Sequence, residues 1–133
     1  MDADTRIVHD FLAAMDPVRD ALGDLVRSLY QRPEVKLVTT YNPQMFASTD
    51  LGVSAELHNR AVVDFWIDFD LRSGDTAWEM HYSVERHDPD EEGSHTELDF
   101  PREIIRSMSD LPKTLLAAIE RLQKASATDT FYR

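Results

Sequence analysis

The sequence predicts an α+β fold, with helices at both ends of the chain and an antiparallel sheet between them. Two changes of period carry this reading: apolar residues recur with helical spacing up to about residue 32, alternate from residue 35 to about 100, and return to helical spacing after that. Short clusters of Asn, Pro, Gly, Ser and Asp punctuate the alternating stretch, as turns between antiparallel strands do.

At the N-terminal end, Ile7, Val8, Phe11, Leu12 and Met15 are followed by Val18, Leu22, Leu25, Val26 and Leu29 on one helical face. Asp16-Pro17 interrupts the stripe, and Asp before Pro makes a good cap followed by a good first helical residue. The spacing therefore predicts two N-terminal helices, one ending near Met15 and one from Pro17 to about Arg32. A single kinked helix is the alternative.

Val35 to Tyr41 reads as a first strand closed by Asn42-Pro43, and Gln44 to Asp50 as irregular. Gly52–His58, Val62–Leu71 and Thr76–Arg86 follow as strands, with Arg72-Ser73-Gly74-Asp75 as the last turn. If Leu71 and Thr76 close that turn, Phe69 faces Trp78, Ile67 faces Met80, Phe65 faces Tyr82 and Val63 faces Val84, all apolar pairs. A three-residue loop at Asn59-Arg60-Ala61 adds Leu57, Ala55 and Val53 to the same face. His95 to Phe100 is a fifth strand, completing a four- to five-stranded antiparallel meander.

Phe100-Pro101 then starts a helix with Ile104, Ile105 and Met108 as its stripe. Ser109-Asp110 caps another, with Pro112 in the first turn and Leu111, Leu115, Ala118, Ile119 and Leu122 inward. These C-terminal helices are expected to pack on the apolar face of the sheet, and Ser126–Arg133 to form a loose tail. No repeat, low-complexity linker or composition break divides residues 1–133, so a single domain is expected.

Composition narrows the function. Of 133 residues, 42% are apolar, enough for a core without staples, and there is no cysteine, which removes disulfides, thiolate metal sites and cysteine nucleophiles. Against 25 Asp and Glu stand 14 Lys and Arg, for a formal charge of −11. Such a chain repels phosphate backbones and anionic membrane surfaces, so neither nucleic acid nor membrane is an expected partner. With no basic, apolar leader and no stretch of membrane-spanning length, the expectation is a cytoplasmic protein of bacterial type.

The charge is concentrated. Between Glu56 and Asp99 lie 13 acidic residues and only Arg60, Arg72 and Arg86 as basic ones, a local charge of −10. The register that gathers one apolar face puts Asp64, Trp66, Asp68 and Asp70 on the other, beside Glu79, His81, Ser83 and Glu85. Asp68 then opposes Glu79, and Glu56 opposes Asp64. Like charges across a strand pair cost some tenths of a kcal/mol each, so their concentration around an outward Trp asks for a reason. A basic partner supplies one, and the candidate partner-binding residues are Trp66, His81, Asp64, Asp68, Asp70, Glu79 and Glu56. The plainer reason is an ordinary wet sheet face, with Trp66 beneath the N-terminal helices or the Asn42–Asp50 connection.

Other patterns carry less. Asp88, Asp90, Glu92, Gly93 and Asp99 match positions of a calcium loop, but a strand precedes them, Pro89 stands second, and Asp99 replaces the bidentate Glu. At most a weak surface cation site is expected there. None of the five histidines, His9, His58, His81, His87 and His95, stands at metal-ligand spacing. No nucleophile elbow, phosphate loop or dinucleotide fingerprint occurs, so neither a cofactor nor a catalytic residue is assigned. The expected function is therefore a non-enzymatic immunity-type inhibitor that neutralises a basic toxin, such as a nuclease, through its acidic sheet face. A secretion-chaperone-like dimer gripping an effector segment, or a small-ligand or isomerase-like α+β domain, are the alternatives.

Overall fold

A computed structural model describes residues 2–41, 50–71 and 77–133. A long first helix, α1 (Ala3–Tyr30), precedes six strands, β1 (Val35–Tyr41), β2 (Asp50–Leu57), β3 (Val62–Leu71), β4 (Trp78–His87), β5 (His95–Asp99) and β6 (Glu103–Ile105); α2 (Leu111–Ala125) and a short 3₁₀ turn (Asp129–Tyr132) follow. The α+β class is as the sequence predicts, but with one helix at each end rather than two.

α1 starts where Asp2 accepts a hydrogen bond from the Thr5 amide at 2.8 Å. It runs through Pro17 without ending. A proline removes one backbone donor but does not force termination when the flanking residues favour helix. Asp16, expected to cap a new helix, instead accepts a hydrogen bond from Arg19 Nη2 at 3.0 Å.

The sheet is antiparallel in the order β1-β2-β3-β4-β5, and β6 also pairs with β4. β5 lies against Ser83–Arg86 and β6 against Trp78–Met80, so two short strands share one edge of β4. The expected helix at Ile104, Ile105 and Met108 is thus replaced by a strand. Alternation decides it: Ile105 is buried while Ile104 and Met108 are exposed, a pattern that one helical stripe would not give.

Register differs from expectation by two residues on both sides of β3. Opposite Phe69 stands Met80, opposite Ile67 Tyr82, opposite Phe65 Val84, and opposite Val63 Arg86. Pairing resumes at Leu71 and Trp78, so six residues rather than four connect β3 to β4. The inferred turn Arg72-Ser73-Gly74-Asp75 lies outside the described residues, as do Asn42-Pro43 and the Gln44 to Thr49 part of the stretch read as irregular. β2 and β3 are joined through His58–Ala61, with Arg60 at φ 72° and the Leu57 amide donating to the Ala61 carbonyl at 2.8 Å. Because side chains alternate with period two, a slip of two keeps every residue on its expected face.

The apolar face carries Val53, Ala55, Leu57, Val63, Phe65, Ile67, Met80, Tyr82 and Val84. Val18, Leu22, Leu25 and Leu29 of α1 and Leu115, Ile119 and Leu122 of α2 close over it in one buried cluster. The C-terminal residues belong to that core. Phe131 and Tyr132 are buried, the Tyr132 hydroxyl donates to the Ser126 carbonyl at 2.6 Å, and the Arg32 guanidinium stacks 4.0 Å above the Tyr132 ring. The expected loose tail is therefore a docked one, because two adjacent aromatics outweigh the polar residues before them. No helix among the described residues is long and apolar enough to cross a membrane.

Candidate partner-binding face

With both helices on the apolar side, the opposite face of the sheet carries the carboxylates. Asp50 stands opposite Asp68, Asp64 opposite Glu85, and Asp70 opposite Glu79. The structure thus corrects the pairs expected from sequence, since Asp68 faces His81 rather than Glu79, and Glu56 faces Val62 rather than Asp64. Among the described residues, three like-charge cross-strand pairs replace the expected two.

Trp66 lies between these pairs, flanked across the sheet by Gly52 and Ser83, the smallest neighbours its strand offers. Gly52 is needed where it stands: a Cβ there would come within 2.2 Å of the Phe65 carbonyl oxygen and 2.8 Å of Trp66 Cα. The Tyr41 hydroxyl would be 3.0 Å from such a Cβ, so the missing side chain leaves that hydroxyl its room. Ser83 is fully buried, and its hydroxyl has no hydrogen-bond partner among the described residues.

A cleft of about 400 Å³ opens here, lined by Tyr41, Asp50, Ser54, Asp64, Trp66, Glu85, His87 and Ser94. Its carboxylates are held in place by neighbours. Asp64 accepts from the Ser54 hydroxyl and pairs with His87 Nε2 at 3.0 Å. Glu85 accepts from Ser94 at 2.7 Å and Thr96 at 3.3 Å. At the rim, His81 Nε2 meets Asp99 Oδ1 at 2.5 Å, and Arg102 donates to Glu79 at 3.3 Å.

Two groups record the negative potential of the cleft. Burial, then the carboxylates of Asp64, Asp50 and Glu85, push the Tyr41 phenol well above its ordinary value. Partial burial, a hydrogen bond shared with Asp68, and the charges of Asp68 and Asp70 raise the Asp50 carboxyl to about 6. Asp50 therefore keeps its proton in mildly acidic solution.

Of the residues selected from sequence, Trp66, Asp64, Asp68, Asp70, Glu79 and His81 share this face, with Glu56 at its β1 side beside Leu37. Tyr41, Asp50 and His87 join them without having been selected. Tyr41 could have been found by pairing β1 with β2, which places it opposite Gly52 on the tryptophan side.

The acidic loop after β4 does not form a calcium loop. Asp99 sits in β5 and turns to His81, while Asp88 is held by Arg86 at 2.9 Å. Asp88, Glu91 and His95 bring ligand atoms within 4.8 Å of one another. The Arg86 charge already on Asp88 opposes a cation there, and holds that carboxyl below its usual range. Glu91 hydrogen-bonds His95 and raises its pKa. No protein-family model matches the chain, and no curated protein or solved structure does so either.

Proposed function

We infer that this chain is a non-enzymatic protein-binding domain of the immunity type, which neutralises a basic toxin domain by laying the acidic face of its sheet against the toxin's substrate-binding surface. Three like-charge carboxylate pairs ranged around a half-buried tryptophan carry this reading. Directly opposed like charges cost some tenths of a kcal/mol a pair, a cost that His87 on Asp64 and Arg102 on Glu79 offset in part and that a cationic partner reverses in sign. Where the partner binds phosphate chains, as a nuclease does, the ranked carboxylates stand in for the phosphates. Trp66 supplies the central anchor, His81 lies beside it, and Asp64, Asp68, Asp70, Glu79 and Glu56 provide steering and a polar rim.

Isomerase-like chemistry would call for a carboxylate inside an apolar cavity, and no carboxylate is among the buried side chains described. The proposed reading is tested by capturing partners on the immobilised protein at low salt and again at about 0.5 M, where the screening length shrinks to roughly 4 Å. A basic protein held at low salt, weakened at high salt, and lost from the Trp66→Ala and Asp68→Lys variants is the expected result. Capture indifferent to salt and to both substitutions would count against the acidic face.

A further inference from the structure

The first half of α1 meets the core through the half-buried Phe11 and Met15. No residue of the helix before Val18 is buried, yet Ile7, Val8 and Leu12 are apolar and 64%, 57% and 60% exposed. The segment continues a core-packed helix and so needs no nucleus of its own, but its exposed apolar stripe is a surface that a partner can cover. The stripe runs Val8, Leu12, Met15 at helical spacing, with Asp4 one turn before it and Arg19 one turn after it.

We propose that this stripe is a homodimer interface, in which α1 of one copy packs antiparallel on α1 of a second across a two-fold axis between Phe11 and Leu12. That axis relates residue i to residue 23 − i, so Val8 meets Met15 of the second copy and Asp4 meets Arg19 of it. The charges at the two ends of the stripe are complementary only in this antiparallel sense; a parallel pairing in register would set Asp4 on Asp4 and Arg19 on Arg19. Arg19 already uses one donor on Asp16, and its guanidinium has others to offer. An isologous contact also meets the requirement that one patch serve both partners. The stripe lies in the helix layer, across the sheet from the carboxylates, so the strongly acidic faces stay apart. A contact of so few residues a side belongs with the small, weak class of specific interfaces.

Sedimentation velocity of the full chain, from about 5 to 500 μM, tests the assignment. The expected result is a monomer at the lowest concentration and a dimer at the highest, with Leu12→Asp monomeric throughout and unchanged in circular dichroism, because Leu12 lies outside the core. Asp4→Arg and Arg19→Asp should each weaken association by about threefold or more, and the two together should restore it. A chain that stays monomeric, or a dimer indifferent to Leu12→Asp, overturns the interface. A dimer that the double reversal fails to restore overturns its antiparallel sense.

Discussion

At Gly52 a single hydrogen in place of a side chain decides how the outer face is built. A methyl group there would collide with the β3 backbone, which is fixed by pairing on both sides and cannot yield. Gly52→Ala is therefore expected to destabilise the protein by about 3 kcal/mol in chemical denaturation. Asp50 is the second deciding residue. Its folded pKa of about 6 lies above the ordinary 3.8, so the folded state keeps a proton that the unfolded chain releases. The stabilising contribution is complete below about pH 4 and is lost as the pH rises through about 6. Asp50→Asn should flatten that part of the pH–stability profile and make the protein more stable at pH 7.5, by no more than about 1 kcal/mol because solvent screens the pair. A variant that loses stability at pH 7.5 would show that the carboxylate is needed charged.

Among the elements, β6 departs furthest from what the sequence suggests. Ile104 and Ile105 are adjacent, and adjacent apolar residues fit a helical stripe as easily as the two faces of a strand. The structure separates them, one inward and one outward, so Ile105→Ala should cost about 2–4 kcal/mol and Ile104→Ala less than about 0.5. Equal losses would instead favour the helix. Where the period was long and clean, the sequence was legible: β1 and β3 fall at the boundaries it predicts, and α2 begins after Asp110 as expected. Where a local signal competed with a tertiary one, it misled. Asp16-Pro17 looked like a stop and is the interior of α1, because one lost donor is a smaller cost than ending a helix. The last eight residues looked polar enough to be loose, but Phe131 and Tyr132 find the core and Arg32.

For the molecule as a whole, the division into a helix-covered apolar face and a carboxylate-bearing face was legible because it depends only on odd and even positions. The identity of the opposed pairs was not, because it depends on turn length, and a turn two residues longer moves every partner without moving any side chain to the other face. The concentration of charge is sharper in the observed register, because Asp50 joins the face from β2, beside the neutral Tyr41 phenol from β1.

The protein has two tryptophans on opposite faces, since Trp66 stands on the acidic face and Trp78 packs against the core. Labelling both with 5-fluorotryptophan gives two fluorine NMR signals, assigned by Trp66→Phe, that report the faces separately as the captured basic partner is titrated in. Docking on the acidic face shifts the Trp66 signal, leaves the Trp78 signal where it is, and gives a Trp66 shift that shrinks at about 0.5 M salt. A complex that forms without moving Trp66, or that moves Trp78 alone, would contradict docking on the acidic face.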